Sequence, residues 1–292
     1  MNLKILFLGV RPKTLGAAIV PPVVALSYAR SQGIQFNWII INCLMLALFL
    51  QVATNFYNDA IDKLKGADEK RVGPQRLGAQ FNIDPKKIML IGHIFMALAF
   101  IFAVPIFIKG GPIFIILGLI SAFLAYGYTG GPFPLAYLGL GEVFVFIFFG
   151  WVATLGSFYL MAGNLDIYIW FIASMVGFLS MTLIGINNFR DREGDADVGK
   201  RTLATRLSSK SYLALLDCFL FLPFILTLYL VISLKESYLI LLLIAGLTHR
   251  IRFILRNYQK PMELNDALAL AGKQLVLFAF LFWLGSLWQS NI

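Results

Sequence analysis

Long, uncharged apolar runs constrain this chain more than any other feature. Residues 39–53, 88–108, 113–128, 143–161 and 213–234 are mostly free of charge. A helix that crosses a bilayer needs about 20 predominantly apolar residues, and in hydrocarbon its backbone polar groups must be satisfied internally. Only 13% of the residues are charged, against roughly 25% in soluble domains, so too little charge is available to face water all round. The pattern predicts an all-α integral membrane protein, with one polytopic domain over 1–292 and its helices around a central cavity. Nine spans are expected, at 14–29, 38–58, 87–108, 112–129, 139–161, 167–188, 212–233, 237–253 and 267–288. The eighth is the least regular, because His249, Arg250 and Arg252 interrupt its end. The apolar stretch 5–10 is too short for the core of a signal peptide and meets Arg11-Pro12-Lys13, so no cleavable signal is expected. Cys43 and Cys218 both fall inside spans and read as buried free thiols rather than a disulfide or a thiolate metal site.

The charges orient the spans. A formal net charge of +9 would suit a nucleic-acid binder, but its distribution does not. With the N-terminus placed in the cytoplasm, 20 of the 24 basic residues lie on that side. Only Arg30, Lys109 and Lys235 lie outside, and Lys273 sits within the last span. This is the positive-inside pattern of a multi-pass protein in the inner (cytoplasmic) membrane, with its C-terminus outside. The expected partner is the lipid bilayer, with no nucleic acid.

The acidic residues are few but concentrated. Eight of the fifteen form two short stretches at the cytoplasmic face: Asp59, Asp62, Asp68 and Glu69, then Asp191, Glu193, Asp195 and Asp197. Each stretch is expected to end a span, the second and the sixth, and to open an Asp-rich loop. At 100° per residue, Asn55, Asn58, Asp59 and Asp62 share about a 100° arc of one helix face. Asp191 and Asp195 are i, i+4 neighbours, with Asn187 a turn before. Like charges at that spacing repel, more strongly beside a low-dielectric bilayer, so a cation is expected among them. Oxygen-only donors favour Mg²⁺, which is commonly held by one or two carboxylates together with substrate phosphates. The alternative is a pair of solvated helix ends whose carboxylates form surface ion pairs of little energetic weight. That alternative leaves the asparagines and the matched helix faces without a role.

In order and placement these motifs resemble the UbiA superfamily of membrane prenyltransferases, whose hallmark is a pair of Asp-rich motifs after the second and sixth helices. The resemblance covers nearly the whole chain. It is nearest to the branch that acts on 1,4-dihydroxy-2-naphthoate in menaquinone synthesis. It rests on Arg11-Pro-Lys13-Thr-Leu, Asn58-Asp59-x-x-Asp62, Lys65-Gly66-Ala-Asp68 and Arg71-Val-Gly-Pro-Gln-Arg76. It continues through Tyr128-Thr-Gly-Gly-Pro-Phe-Pro, Gly139-Leu-Gly-Glu142 and Asn187-Asn-x-Arg190-Asp191-x-x-x-Asp195, then Gly199-Lys200-Arg201-Thr202-Leu-Ala. Many relatives space the last two aspartates of the first motif four apart. Here Asp62 and Asp68 are six apart, as in the naphthoate branch.

The resemblance implies a Mg²⁺–diphosphate site built on Asp59, Asp62, Asp68, Asp191 and Asp195, with Asp62, Asp191 and Asp195 central to catalysis. Asn58 and Asn187 would assist, and Lys200, Arg201, Arg71 and Arg76 are candidate diphosphate contacts. Arg11 and Lys13 are candidates for the acceptor carboxylate, Tyr128 for stacking on a ring or cation, and Glu142 for orienting a hydroxyl. Each also has a purely structural reading: a topological charge, an interfacial aromatic, or a carboxylate favouring a helix N-terminus. The implied reaction moves a polyprenyl group from its diphosphate to 1,4-dihydroxy-2-naphthoate, with loss of CO₂ and diphosphate. Phytyl or another prenyl transfer is the nearest alternative. A membrane transporter is the alternative of a different class, although transporter sites lie near the midplane and these motifs lie at one face.

Overall fold

The computed structural model describes residues 3–65, 77, 81, 83–131 and 134–290, and the described residues are helical, with no strand among them. A short helix α1 (Leu3–Val10) meets α2 (Pro12–Ser31) at an elbow, followed by α3 (Ile39–Leu64), α4 (Pro85–Gly110) and α5 (Pro112–Gly127). The second half contains α6 (Gly141–Ala162), α7 (Ile167–Asp197), α8 (Ser209–Ser233), α9 (Ser237–Asn257) and α10 (Leu264–Ser290). Seven of these, α3, α4 and α6 to α10, are long and apolar enough to cross a membrane. The protein is therefore a multi-pass membrane protein. Of the two other expected spans, α2 carries Pro21 and Pro22 in its interior, and α5 has only 16 residues.

Local chemistry marks the helix ends. Asp84 accepts the Lys86 N–H at 2.9 Å and Pro85 opens α4, while Asp166 accepts the Ile169 N–H at 2.9 Å at the start of α7. Both are side-chain caps that satisfy donors with no intrahelical partner. Gly163 ends α6 in the left-handed region (φ 79°), where a side chain would clash with the backbone. The middle of α6, Phe146–Val152, winds as a π-helix. There Gly150 lies so near α7 that an added Cβ would stand 2.8 Å from the Gly177 Cα. Close backbone approach through small residues is a usual basis of helix contact in lipid, where apolar burial gives no preference for protein over tails.

The main core joins α2, α6, α7, α8, α9 and α10, through side chains such as Tyr28, Phe158, Val176, Leu230, Tyr238 and Phe282. The outer faces are apolar as well. Ile101 and Ile108 on α4, Ile116 and Phe123 on α5, and Ile225 and Ile232 on α8 are all exposed, as expected for surfaces that meet lipid. Near the end of α9, Arg252 and Arg256 both pair with Asp217 of α8, so the basic interruption of that helix is met by a carboxylate on its neighbour.

Two expectations need correction. The described aspartates of both clusters lie on helices rather than in loops. Asp59 and Asp62 occupy the last turns of α3, and α7 continues through Asp191, Asp195 and Asp197. Hydropathy marks where a segment leaves hydrocarbon, but backbone hydrogen bonding carries α7 on to the turn before Gly199 (φ 73°). The expected burial of both thiols holds for Cys43, whereas Cys218 is exposed.

Candidate active site

A cavity of about 1790 Å³ opens between the two halves of the bundle, larger than the roughly 300–1,000 Å³ typical of small-molecule sites. Its polar end is lined by Asn55, Asn58 and Asp62 of α3 and by Asn187 and Asn188 of α7, together with Lys200. Away from these groups the wall is apolar, with Phe100, Ala103 and Phe107 from α4, Leu117 and Ala122 from α5, and Phe148 and Val152 from α6.

On the α3 side, the shared helical arc is divided between two neighbours. Asn58 and Asp62 line the cavity; the Asn58 Oδ1 accepts a hydrogen bond from Thr129 Oγ1, and Asp62 is 5% exposed. Asp59, only 1% exposed, is absent from the cavity wall. It pairs with Arg11 and accepts the Leu77 N–H. Asn55 donates to the Val10 carbonyl at 3.0 Å and to Thr14 Oγ1 at 3.1 Å, which fastens α3 to the α1–α2 elbow. Arg11 forms that elbow with a left-handed backbone (φ 52°), a strained conformation for a residue with a side chain.

On the α7 side, Asp191 is clamped by Arg190, whose Nε and Nη2 donate to its two oxygens at 2.8 and 2.7 Å. The same guanidinium donates to Asn187 Oδ1 and to Asn265 Oδ1 of α10, both at 2.8 Å. Asp195 pairs with Lys200 at 3.2 Å. Like Asp59, Asp191 and Asp195 are not among the cavity-lining residues. Behind Asn188, Glu142, fully buried, accepts hydrogen bonds from Asn188 Nδ2 at 2.9 Å and from the Tyr212 hydroxyl at 2.6 Å. Only the amide nitrogen of Asn188 can donate to a carboxylate, so Glu142 leaves the Asn188 carbonyl oxygen available to the cavity. Its own second oxygen has no hydrogen-bond partner among the described residues.

Near the polar end, Lys65 donates to the Thr129 carbonyl at 2.8 Å and stands over the Tyr137 ring. Burial, and then repulsion from Lys200, lower its pKa, so an anion between these ammonium groups would relieve both. Tyr128 lines the cavity, with its hydroxyl close to Gly141. Arg201 is exposed and is not part of the wall. Asp68, Arg71 and Arg76 lie outside the described residues, as does the side chain of Lys13. Asn188 and Lys273, neither of them singled out as site residues from the sequence, both line the cavity. The signal for Lys273 was its charge within an otherwise apolar span.

The donor set suits a hard cation. Among the described residues no three His, Cys, Asp or Glu side chains converge on one point. Mg²⁺ does not require such a cluster, because it is usually bound by one or two carboxylates, water and substrate phosphates. Amide and carboxylate oxygens at the polar end meet that requirement. The one thiol in the wall, Cys43, lies fifteen residues before Asn58, about 22 Å along α3.

The UbiA prenyltransferase family profile matches residues 19–270. The chain belongs to the UbiA prenyltransferase family. Among its relatives in this family, the 1,4-dihydroxy-2-naphthoate octaprenyltransferase of Escherichia coli K12 is 32% identical over 286 residues, covering 94% of this chain and 92% of that protein. The enzyme of the same name from Haemophilus influenzae is 36% identical over 210 residues, 68% of each chain. A solved UbiA homolog from Archaeoglobus fulgidus bound to GPP and Mg²⁺ superposes with a TM-score of 0.70 at 16% identity, over 99% of this chain and all of that one. At that identity the likeness shows the fold of this UbiA family member.

Proposed function

We propose that this protein is a Mg²⁺-dependent 1,4-dihydroxy-2-naphthoate polyprenyltransferase of menaquinone synthesis. The observation that carries the reading is the cavity: oxygen donors from α3 and α7 face each other at its polar end, and a long apolar space adjoins them. The names of the Escherichia coli and Haemophilus influenzae relatives support the acceptor. The whole chain acts as one domain in the inner membrane, with α2 and α5 crossing in addition to the seven long helices. Nine crossings put the N-terminus and the basic segments in the cytoplasm and the C-terminus outside.

Asn58 and Asp62 on α3, with Asn187, Asp191 and Asp195 on α7, would hold the metal and the diphosphate. When bound, Mg²⁺ would neutralise charge developing on the leaving diphosphate. Lys200 and Lys65 add positive charge at the same end. The allylic carbon–oxygen bond breaks with its electron pair passing to diphosphate, and the apolar wall of α4 and α5 keeps water from the cation that is left. The ring carbon bearing the carboxylate attacks and forms the new carbon–carbon bond. The bond to the carboxylate then breaks, its electrons restore the aromatic ring, and CO₂ leaves. The products are demethylmenaquinol, diphosphate and CO₂.

Carboxyl-labelled 1,4-dihydroxy-2-naphthoate, incubated with a polyprenyl diphosphate and Mg²⁺, should release one labelled CO₂ per tail transferred, and a chelator should stop the reaction. Label retained on the product, or turnover of 4-hydroxybenzoate alone, would refute the acceptor. Full activity in chelator would refute the metal.

A further inference from the structure

Three described cations line the cavity: Arg11, Lys200 and Lys273. Arg11 is held by Asp59 and Lys200 by Asp195. Lys273 makes no hydrogen bond or ion pair with any described residue, although it lies within a membrane-spanning helix. A charged side chain there is costly unless it faces a partner or a polar cavity. Lys273 does face the cavity, on the stripe of α10 that also presents Asn265, Ala269 and Val276.

Its depth can be read from its neighbours. Asn265 accepts from the Arg190 guanidinium that clamps Asp191, so it marks the level of the aspartates. Lys273 follows eight residues later, about 12 Å along the helix axis. Helical side chains lean toward the helix N-terminus, which brings a four-carbon lysine stem back by up to about 6 Å. The ammonium group can therefore reach to about 6 Å beyond the aspartate level. With the diphosphate held at the polar end, that is the depth at which a ring attacking the first carbon of the tail would lie.

We infer that Lys273 binds the carboxylate of the aromatic acceptor and so sets the enzyme's preference for a carboxylated ring. The inference rests on the acceptor class proposed above. It assigns to α10 a role that the sequence had suggested for Arg11 and Lys13. The carboxylate departs as CO₂ only after the allylic bond has broken and the ring has attacked, so the contact is the same in the bound ground state and in the ionisation step. Its loss should therefore appear in KM for the acceptor rather than in kcat.

The test compares purified wild type with Lys273→Gln and Lys273→Arg. Wild-type turnover of 1,4-dihydroxy-2-naphthoate is measured first, and its absence would refute the underlying reading and this inference with it. In Lys273→Gln the acceptor KM should rise about tenfold or more, as expected for a lost charge-assisted hydrogen bond, with the donor KM and kcat little changed. Lys273→Arg should recover most of the loss. Inhibition by 1-hydroxy-2-naphthoate should weaken in Lys273→Gln in parallel, while inhibition by the matching carboxamide should not change. A rise in donor KM alone would make Lys273 a diphosphate contact and overturn the inference. Unchanged constants for both substrates and both inhibitors would make it a lipid-facing charge, with the same consequence.

Discussion

Replacing Arg11 by methionine tests whether the Arg11–Asp59 pair is architecture or substrate site. Asp59 is 1% exposed and Arg11 23% in their side chains, so the substitution takes a cationic partner away from a carboxylate in the interior. Removing one member of a buried pair costs about 3–5 kcal/mol. Arg11 keeps some contact with solvent, and Asp59 still accepts the Leu77 N–H, so the lower end, about 3 kcal/mol, is expected. That corresponds to a fall in melting temperature on the order of 6 °C or more. The double variant Arg11→Met/Asp59→Leu removes both charges and should recover most of the loss, because well-packed apolar replacements of buried pairs are often neutral. Thermal unfolding of the single and double variants in detergent, followed by tryptophan fluorescence, gives the coupling between the two residues. Acceptor KM is measured on the same preparations. If Arg11→Met melts with the parent but raises acceptor KM, Arg11 serves the substrate and the structural reading is wrong.

Two further outcomes follow from the geometry. Gly150→Ala should destabilise by about 1–3 kcal/mol, since its Cβ would stand 2.8 Å from the Gly177 Cα and 2.9 Å from the Ala173 carbonyl oxygen; Gly194→Ala, with nothing within 4 Å of its Cβ, should melt no lower than the parent. The lowered pKa of Lys65, caused by burial and by Lys200, means that its charge is lost at lower pH than the ordinary lysine value of 10.5. Diphosphate affinity should therefore begin to fall on the alkaline side below that value, and Lys65→Arg, whose guanidinium stays charged, should move that limb upward. An identical limb in the two proteins would remove Lys65 from the site.

The resemblance to the family, the helical class and the positions of the long spans were legible in the sequence, because hydrocarbon imposes its demand on each segment separately. A run of apolar residues reports that demand without reference to any neighbour. The clustering of oxygen donors at two span ends was legible for the same reason. What each donor faces was not. Asn58, Asp59 and Asp62 share one arc of α3, yet Asp62 and Asn58 line the cavity while Asp59 turns to Arg11. An arc about 100° wide is broad enough for its two edges to meet different helices. Nor could hydropathy show that α7 stays helical through Asp197, that Glu142 fixes the amide of Asn188, or that Lys273 lines the cavity. Each of these depends on which helix lies alongside, and that is decided by packing between segments distant in the chain.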